Sequence, residues 1–368
     1  MTAAAAPLAL EQCFPGLQGR LRRSVLTRLP TPVARLECLG RHVGHGELWI
    51  KRDDISSPLY GGNKPRKLEL ILGDAVAQGK RTVLTTGGIG THHGLATAIC
   101  AGSLGMRTIL ALLEQPVTEA VRHSLLLDFA VGAELHWASS VGRLAARAAR
   151  LMAREALKGE LPYLIPTGGT STLGTIGYVN AGLELAQQVA AGQLPEPTYV
   201  FVPMGSGGTV AGLILGLKLG GLKSRVVAVV VTDILPPGRS RISRLAMSSS
   251  IYLHHQDERL PRVTVRPDDY DVIADQIGAG YGHPTAAGIE ARDRMRDDEG
   301  IVLDTTYTAK CLAAILAGIQ GGGFGRGPLL FWNTYSAVDP AERLGPLPDY
   351  HKLPHPFHRF FEGPAVAA

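Results

Sequence analysis

The stretch YVFVPMGSGGTVAGLILGLKLGG, residues 199–221, holds three elements in order. Tyr199–Pro203 reads as a strand. Gly205, Ser206, Gly207, Gly208 and Thr209 form a glycine-rich loop, and an apolar helical pattern runs from there to Gly221. Successive glycines let backbone N–H groups close around an anion at a helix N-terminus, where the dipole favours negative charge. The loop is not the dinucleotide fingerprint, because Val210 stands where a third Gly is needed, and no Gly-Lys-Ser/Thr follows as in a P-loop. It suits a single phosphate, or simply a tight strand–helix turn.

The same alternation recurs along the chain. TVLTT (82–86) leads into a second glycine-rich loop and GLATAICAGSLG, and TILALLE (108–114) precedes EAVRHSLLLDFAVGAE. VVAVVV (226–231) is apolar throughout, as a strand covered on both faces should be. GPLLFWN (327–333) is a last candidate strand. Strand–helix alternation of this kind predicts an α/β protein with a parallel sheet, its ligands beyond the carboxyl ends of the strands. The run Arg35–Asp54 reads as a strand pair, 234–268 as irregular, and the tail after Pro354 as an arm.

With 368 residues, 45% hydrophobic and 19% charged, the chain can bury a large core and has room for roughly two domains. The net charge of +5 is mild, and no basic block with interleaved aromatics stands out, so no nucleic-acid partner is expected. Cys13, Cys38, Cys100 and Cys311 form no CxxC, which points to reduced, buried thiols rather than a zinc site or a disulfide scaffold. MTAAAAPLAL has no basic residue before its apolar run, and no apolar run approaches the ~20 residues of a membrane span. A cytoplasmic enzyme without a membrane partner is the expectation.

Two further stretches can carry chemistry. In TTGGIGTHHG (85–94), loop N–H groups, the Thr91 hydroxyl, His92 and His93 gather at a helix start. That arrangement suits a carboxylate; adjacent histidines point apart and have no ligand-spaced partner, so no metal site is expected. YGGNKPRKLE (60–69) places Lys64 at a loop–helix junction beside Gly61 and Gly62. A lysine desolvated there loses its proton readily and can form a Schiff base with pyridoxal phosphate. One phosphate nest, one carboxylate nest and one lysine are the parts such an enzyme needs. Tyr281 in GYGHPT and Tyr307 in TTYTAK can stack on a cofactor ring or move a proton, or can be core tyrosines.

Seven collinear blocks from about Pro30 to Ser336 carry a resemblance: PTPVARLECLG, LWIKRDD, GGNKPRKLE, IPTGGTSTLGTIGY, GSGGTVAGL, GYGHPT and TYTAK. The chain resembles the D-cysteine desulfhydrase and 1-aminocyclopropane-1-carboxylate deaminase family, pyridoxal-phosphate enzymes of fold type II akin to the tryptophan synthase β-subunit. The resemblance implies two open, twisted, mostly parallel sheets flanked by helices, with the cofactor in an interdomain cleft. It implies a large domain of residues 1–66 and 175–368, a small one of residues 67–174 inserted in it, and a homodimer. It further implies that Lys64 bears the cofactor, that Asn63 bonds its phenolic oxygen, and that residues 205–209 bind its phosphate. Thr308 then takes the place of the pyridine-nitrogen partner, Glu in the deaminases and a hydroxyl in the desulfhydrases, and Tyr307 and Tyr281 match active-site tyrosines.

The implied function is α,β-elimination from a small amino acid to an oxo acid and ammonia. β-Replacement, racemisation, or an inactive sensor or scaffold on the same fold are the rivals. Departures fall in the substrate region. Where the family reads roughly Gly-Gly-Ile-Gln-Ser-Asn-His, this chain has GGIGTHH, with Gly90 for the amide, Thr91 for the serine and His92 for the asparagine. Where the family reads roughly His-Thr-Gly-Gly-x-Pro-Ala, this chain has NTYSAVD, keeping Thr334 but placing Asn333 and Tyr335 for His and Gly. A diverged substrate, touched by Thr91, His92, His93, Thr334 and Tyr335, is expected.

Overall fold

The computed structural model describes residues 6–234 and 238–367; residues 1–5, the start of the N-terminal apolar run, lie outside them. Ten strands form two sheets among the described residues. They are β1 (Val33–Arg35), β2 (Leu48–Lys51), β3 (Thr82–Gly88), β4 (Arg107–Leu113), β5 (Glu134–Ala138), β6 (Tyr163–Ile165), β7 (Tyr199–Met204), β8 (Arg225–Val230), β9 (Tyr270–Ile273) and β10 (Leu329–Trp332). The larger sheet has the order β1-β2-β10-β7-β8-β9 and is parallel except for β1, which pairs antiparallel with β2. The smaller has the order β5-β4-β3-β6 and is parallel throughout.

Each sheet is covered by the helices its crossovers supply. Val200, Val202 and Ala228 face one apolar layer, while Phe201, Val227 and Val229 face another, which is why these strands read as continuous apolar runs. The helix Gly208–Leu219 packs closely on the helix Thr172–Ala190. A Cβ on Gly212 would stand 2.4 Å from the Thr175 carbonyl, and one on Gly182 2.8 Å from Gly216 Cα. Glycine at these places sets how near the two helices come.

The expected strand pair is present: β1 and β2 pair antiparallel, with the helix Glu37–His42 between them. Three expectations need correction. Residues 235–237 of the segment expected to be irregular lie outside the described residues, but Arg239–Gln256 is an 18-residue helix. Its serines are poor helix formers. Ile242, Ala246, Ser249 and Leu253 nevertheless share one buried face at helical spacing, so tertiary packing outweighs propensity. The C-terminal tail is docked: Leu353, Phe357 and Phe360 pack with Ile89, Leu110, Val121 and Leu125 on the small sheet's side. Finally, all four thiols are free, but Cys13 and Cys38 are exposed and only Cys100 and Cys311 are buried. No helix among the described residues is long and apolar enough to cross a membrane.

Candidate active site

A cavity of about 560 Å³ lies where the carboxyl ends of β3, β4, β6, β7 and β8 meet, with walls from both sheets. Lys64 enters it from the first position of the helix Lys64–Ala77, where Pro65 fits without an intrahelical N–H bond. The preceding glycines are required by space. A Cβ on Gly61 would stand 1.8 Å from the Asp54 carbonyl, and Gly62 has φ of +83° beneath Thr334 and Tyr335. Lys64 Nζ donates to Asn63 Oδ1 at 2.7 Å, and Asn63 Nδ2 donates to Thr209 Oγ1 at 3.2 Å. One asparagine thus ties the lysine to the glycine-rich loop. Burial lowers the Lys64 pKa to about 8, against the pull of Asp304.

Arg66 and Lys67, which follow Lys64 on the same helix, are buried. Arg66 is buried, bonded to both oxygens of Asp53 and of Glu184 and to the Thr31 hydroxyl. Trp332 Nε1 and the Tyr178 hydroxyl also donate to Asp53, at 2.8 and 2.6 Å. This network clamps the start of the lysine helix between β2, β10 and the helix Thr172–Ala190. Lys67 is buried three residues after Lys64, hence on the same helix face. Its Nζ lies 3.1 Å from the Gly168 carbonyl and 3.4 Å from where a Cβ on Gly208 would stand. Burial, then the neighbouring Lys64, lowers its pKa well below the usual lysine value.

Gly207, at φ +88°, turns the chain into the helix Gly208–Leu219, and the Ser206 hydroxyl is hydrogen-bonded to that of Thr170. The half-buried Lys64, the buried Lys67 and a helix N-terminus therefore face one end of the cavity. Such a donor set is uncompensated without a multiply charged anion, and a phosphorylated cofactor fits it.

The opposite wall comes from the small sheet. Thr91 caps the helix His92–Ser103, its hydroxyl accepting the Gly94 N–H at 3.3 Å. The two histidines diverge as expected. His92 Nδ1 lies 3.0 Å from the Tyr60 hydroxyl, and its ring is edge-on to Tyr335 and Tyr307 at 5.0 and 6.3 Å. His93 Nε2 lies 3.0 Å from Thr85 Oγ1. Burial lowers the pKa of both, so neutral imidazoles are favoured. The Tyr281 and Tyr307 hydroxyls are 2.6 Å apart. Thr334 and Tyr335 also line the cavity, and burial raises the Tyr335 pKa to about 12.

Val121, whose Cγ2 lies 2.7 Å from where a Cβ on Gly90 would stand, and Gln115 crowd the glycine at position 90; Gln115 also bonds it. Gln115 Oε1 accepts the Gly90 N–H at 3.2 Å and lies 2.0 Å from where a Cβ on Gly88 would stand; its Nε2 lies 3.5 Å from the same position on Gly282. Its amide is wedged between the loops bearing Thr91 and Tyr281.

Thr308 is placed differently from the sequence expectation. It is fully buried, its hydroxyl donates to Asp304 Oδ1 at 2.6 Å, and Asp304, not Thr308, is among the residues lining the cavity. Asp304 also accepts the N–H groups of Thr306, Tyr307 and Thr308, in the turn that leads into the helix Thr308–Gln320. Sequence reasoning missed Tyr60, Lys67, Gln115 and Asp304. Only Lys67 carried a signal, its three-residue spacing from Lys64.

The model of the family described as "Pyridoxal-phosphate dependent enzyme" matches residues 26–334. This chain belongs to that family. Pyridoxal phosphate is accordingly its cofactor, and the two sheets are those of a fold type II enzyme. D-cysteine desulfhydrases of Salmonella choleraesuis (strain SC-B67) and Salmonella schwarzengrund (strain CVM19633) are each 34% identical over 333 residues, spanning 86% of this chain and 95% of theirs. A crystal structure of an ACC deaminase homologue superposes with a TM-score of 0.76 at 29% identity, covering 90% of this chain and 98% of that one. The processed threonine deaminase isoform 2 of Solanum lycopersicum, at 16% identity and a TM-score of 0.59, shares the fold.

Proposed function

We propose that this chain removes a β-substituent from a small amino acid, releasing an oxo acid and ammonia, and that Lys64 is the covalent anchor of its cofactor. The observation that carries the reading is a half-buried Lys64 amine with its pKa lowered to about 8, beside a glycine-rich loop faced by the fully buried Lys67. When bound, pyridoxal phosphate supplies the electron sink that lets a Cα–H bond break. The chain's own residues do the rest. Gly205, Ser206, Gly207, Gly208, Thr209 and Lys67 hold the phosphate, and Asn63 faces the ring. Lys64, freed by the substrate amine, takes the α-proton. Thr91 and the loop N–H groups orient the substrate carboxylate, with His93 fixing the loop against Thr85. Tyr307, coupled to Tyr281, stands ready to move a proton on the other side. Thr308 acts on the cofactor end through Asp304.

The division into a small domain of residues 67–174 within a large one of 1–66 and 175–368, a homodimeric assembly and a cytoplasmic location belong to the same proposal. The 34% identity to D-cysteine desulfhydrases supports it.

The test is an amino-acid panel in both enantiomers, with oxo acid and ammonia assayed. Release of both from β-chloroalanine or cysteine sustains elimination. Uptake of an added nucleophile or inversion alone points to replacement or racemisation. Purified protein lacking a borohydride-reducible near-visible absorbance would leave only a scaffold.

A further inference from the structure

Two polar atoms in the cleft have no protein partner among the described residues. His92 uses Nδ1 on the Tyr60 hydroxyl, while its Nε2 has no hydrogen-bond partner among the described residues. The Tyr335 hydroxyl likewise has none there. Neither atom is among the sealed, unpartnered polar atoms, so both are open to the cavity that their residues line. The two rings lie 5.0 Å apart, edge to face.

Tyr60 decides what His92 offers. Its buried hydroxyl has no other hydrogen-bond partner among the described residues, so it donates to Nδ1, and the neutral imidazole then carries its proton on Nε2. Tyr335 stays a phenol. The wall thus presents two neutral donors side by side, a costly thing to keep in a half-desolvated cleft unless a ligand atom accepts from them.

Resting on the elimination reading, we propose that His92 and Tyr335 form a two-donor cradle for an oxygen leaving atom on the substrate's β-carbon, so that the substrate class is amino acids with a β-hydroxyl. Sulfur is a weak acceptor, and a thiol of ordinary pKa near ~8.5 departs as thiolate without help. A hydroxyl does not. As Lys64 takes the α-proton, the Cα–H electron pair forms the Cα–Cβ double bond. The Cβ–O bond breaks with its pair left on oxygen. The two donors stabilise the charge developing there, as in an oxyanion hole, and the proton carried by Lys64 completes a water molecule. Neither donor changes protonation state.

The experiment compares kcat/KM of the holoenzyme for serine, cysteine and β-chloroalanine, in the enantiomer that reacts, with the His92→Phe and Tyr335→Phe variants. Chloride needs no donor and serves as the reference. In each variant the serine-to-chloroalanine ratio is expected to fall about ten- to a hundredfold, the loss of one donor to a charged atom. The cysteine-to-chloroalanine ratio is expected to move less than about threefold. Serine and cysteine ratios falling together, or wild-type protein that processes cysteine and not serine, would overturn the proposal.

A second readout does not depend on turnover. Calorimetry on the cofactor-loaded Lys64→Ala protein compares serine with alanine, which differ only in the hydroxyl. Serine binding roughly tenfold tighter, with parity once Tyr335→Phe is added, sustains the cradle. Parity from the start overturns it. If wild-type protein releases no oxo acid from β-chloroalanine, the elimination reading is what fails, and the calorimetric comparison still decides the cradle.

Discussion

Arg66 and Glu184 are joined by two hydrogen bonds of 2.9 Å, one to each carboxylate oxygen, with both side chains nearly sealed from solvent. Lys51 adds a third contact to Glu184 at 2.6 Å. Burial opposes the charge on Glu184, yet Arg66 and Lys51 outweigh it and hold its pKa down at about 2. The folded value is below the unfolded one of about 4.3, so the contribution is fully present above that pH. It fades as pH falls from there towards 2. Glu184→Gln should cost about 3–5 kcal/mol, because it leaves the buried Lys51 without its carboxylate and Arg66 with Asp53 alone. Thermal unfolding followed from pH 7 to pH 2 checks both, and the variant should show a shallower acid limb.

Lys67 makes a different demand. With its amine beside the helix N-terminus and no carboxylate in salt-bridge contact among the described residues, its removal should weaken cofactor retention more than it alters folding. Lys67→Ala is expected to raise the cofactor dissociation constant roughly ten- to a hundredfold, the worth of one charge-assisted hydrogen bond. Titration of apoprotein by near-visible absorbance measures it. An unchanged constant would place the phosphate elsewhere.

Gln115 touches the loops rather than the cavity. Gln115→Ala frees the Gly90 N–H and empties the space between Gly88 and Gly282. The expected result is a rise in KM of about tenfold, one lost hydrogen bond plus a loosened loop, with the cofactor absorbance retained. Steady-state kinetics at saturating cofactor separates the KM effect from kcat.

Asp128 is fully buried, and neither carboxylate oxygen has a hydrogen-bond partner among the described residues. Burial pushes its pKa well above the ordinary range. The folded state therefore holds a proton that the unfolded state loses near pH ~3.9, and stability falls as pH rises from there towards the folded value. Asp128→Asn removes this slope, about 1.4 kcal/mol per pH unit for one proton. Melting temperatures between pH 5 and 8 should converge on a flatter line in the variant.

The strand–loop–helix units were legible because each sits inside one short window. Glycine at 205, 207 and 208 is a local steric fact, and so is Lys64 at a helix start after Gly61 and Gly62. The helix Arg239–Gln256 was not legible, because its serines argue against helix locally while its buried face is visible only against the neighbours it packs on. Thr308 and Asp304 show the same limit within the site. The family resemblance put Thr308 near the cofactor, whereas a turn in which Asp304 accepts three backbone N–H groups decides which of the two oxygens reaches the cleft.

By itself, then, the sequence determined the α/β class, the glycine-rich loop after its strand and the place of Lys64 at a helix start, all properties of a few adjacent residues. Tertiary structure alone decided that Arg66 belongs to a buried network with residues 13 and 118 positions away. It alone brought Tyr60, His92 and Tyr335 together, from positions as far apart as 60 and 335. The reason is physical: local sterics act through neighbouring dihedrals, but the pairing of buried charges and donors is settled only when distant segments lose water against one another.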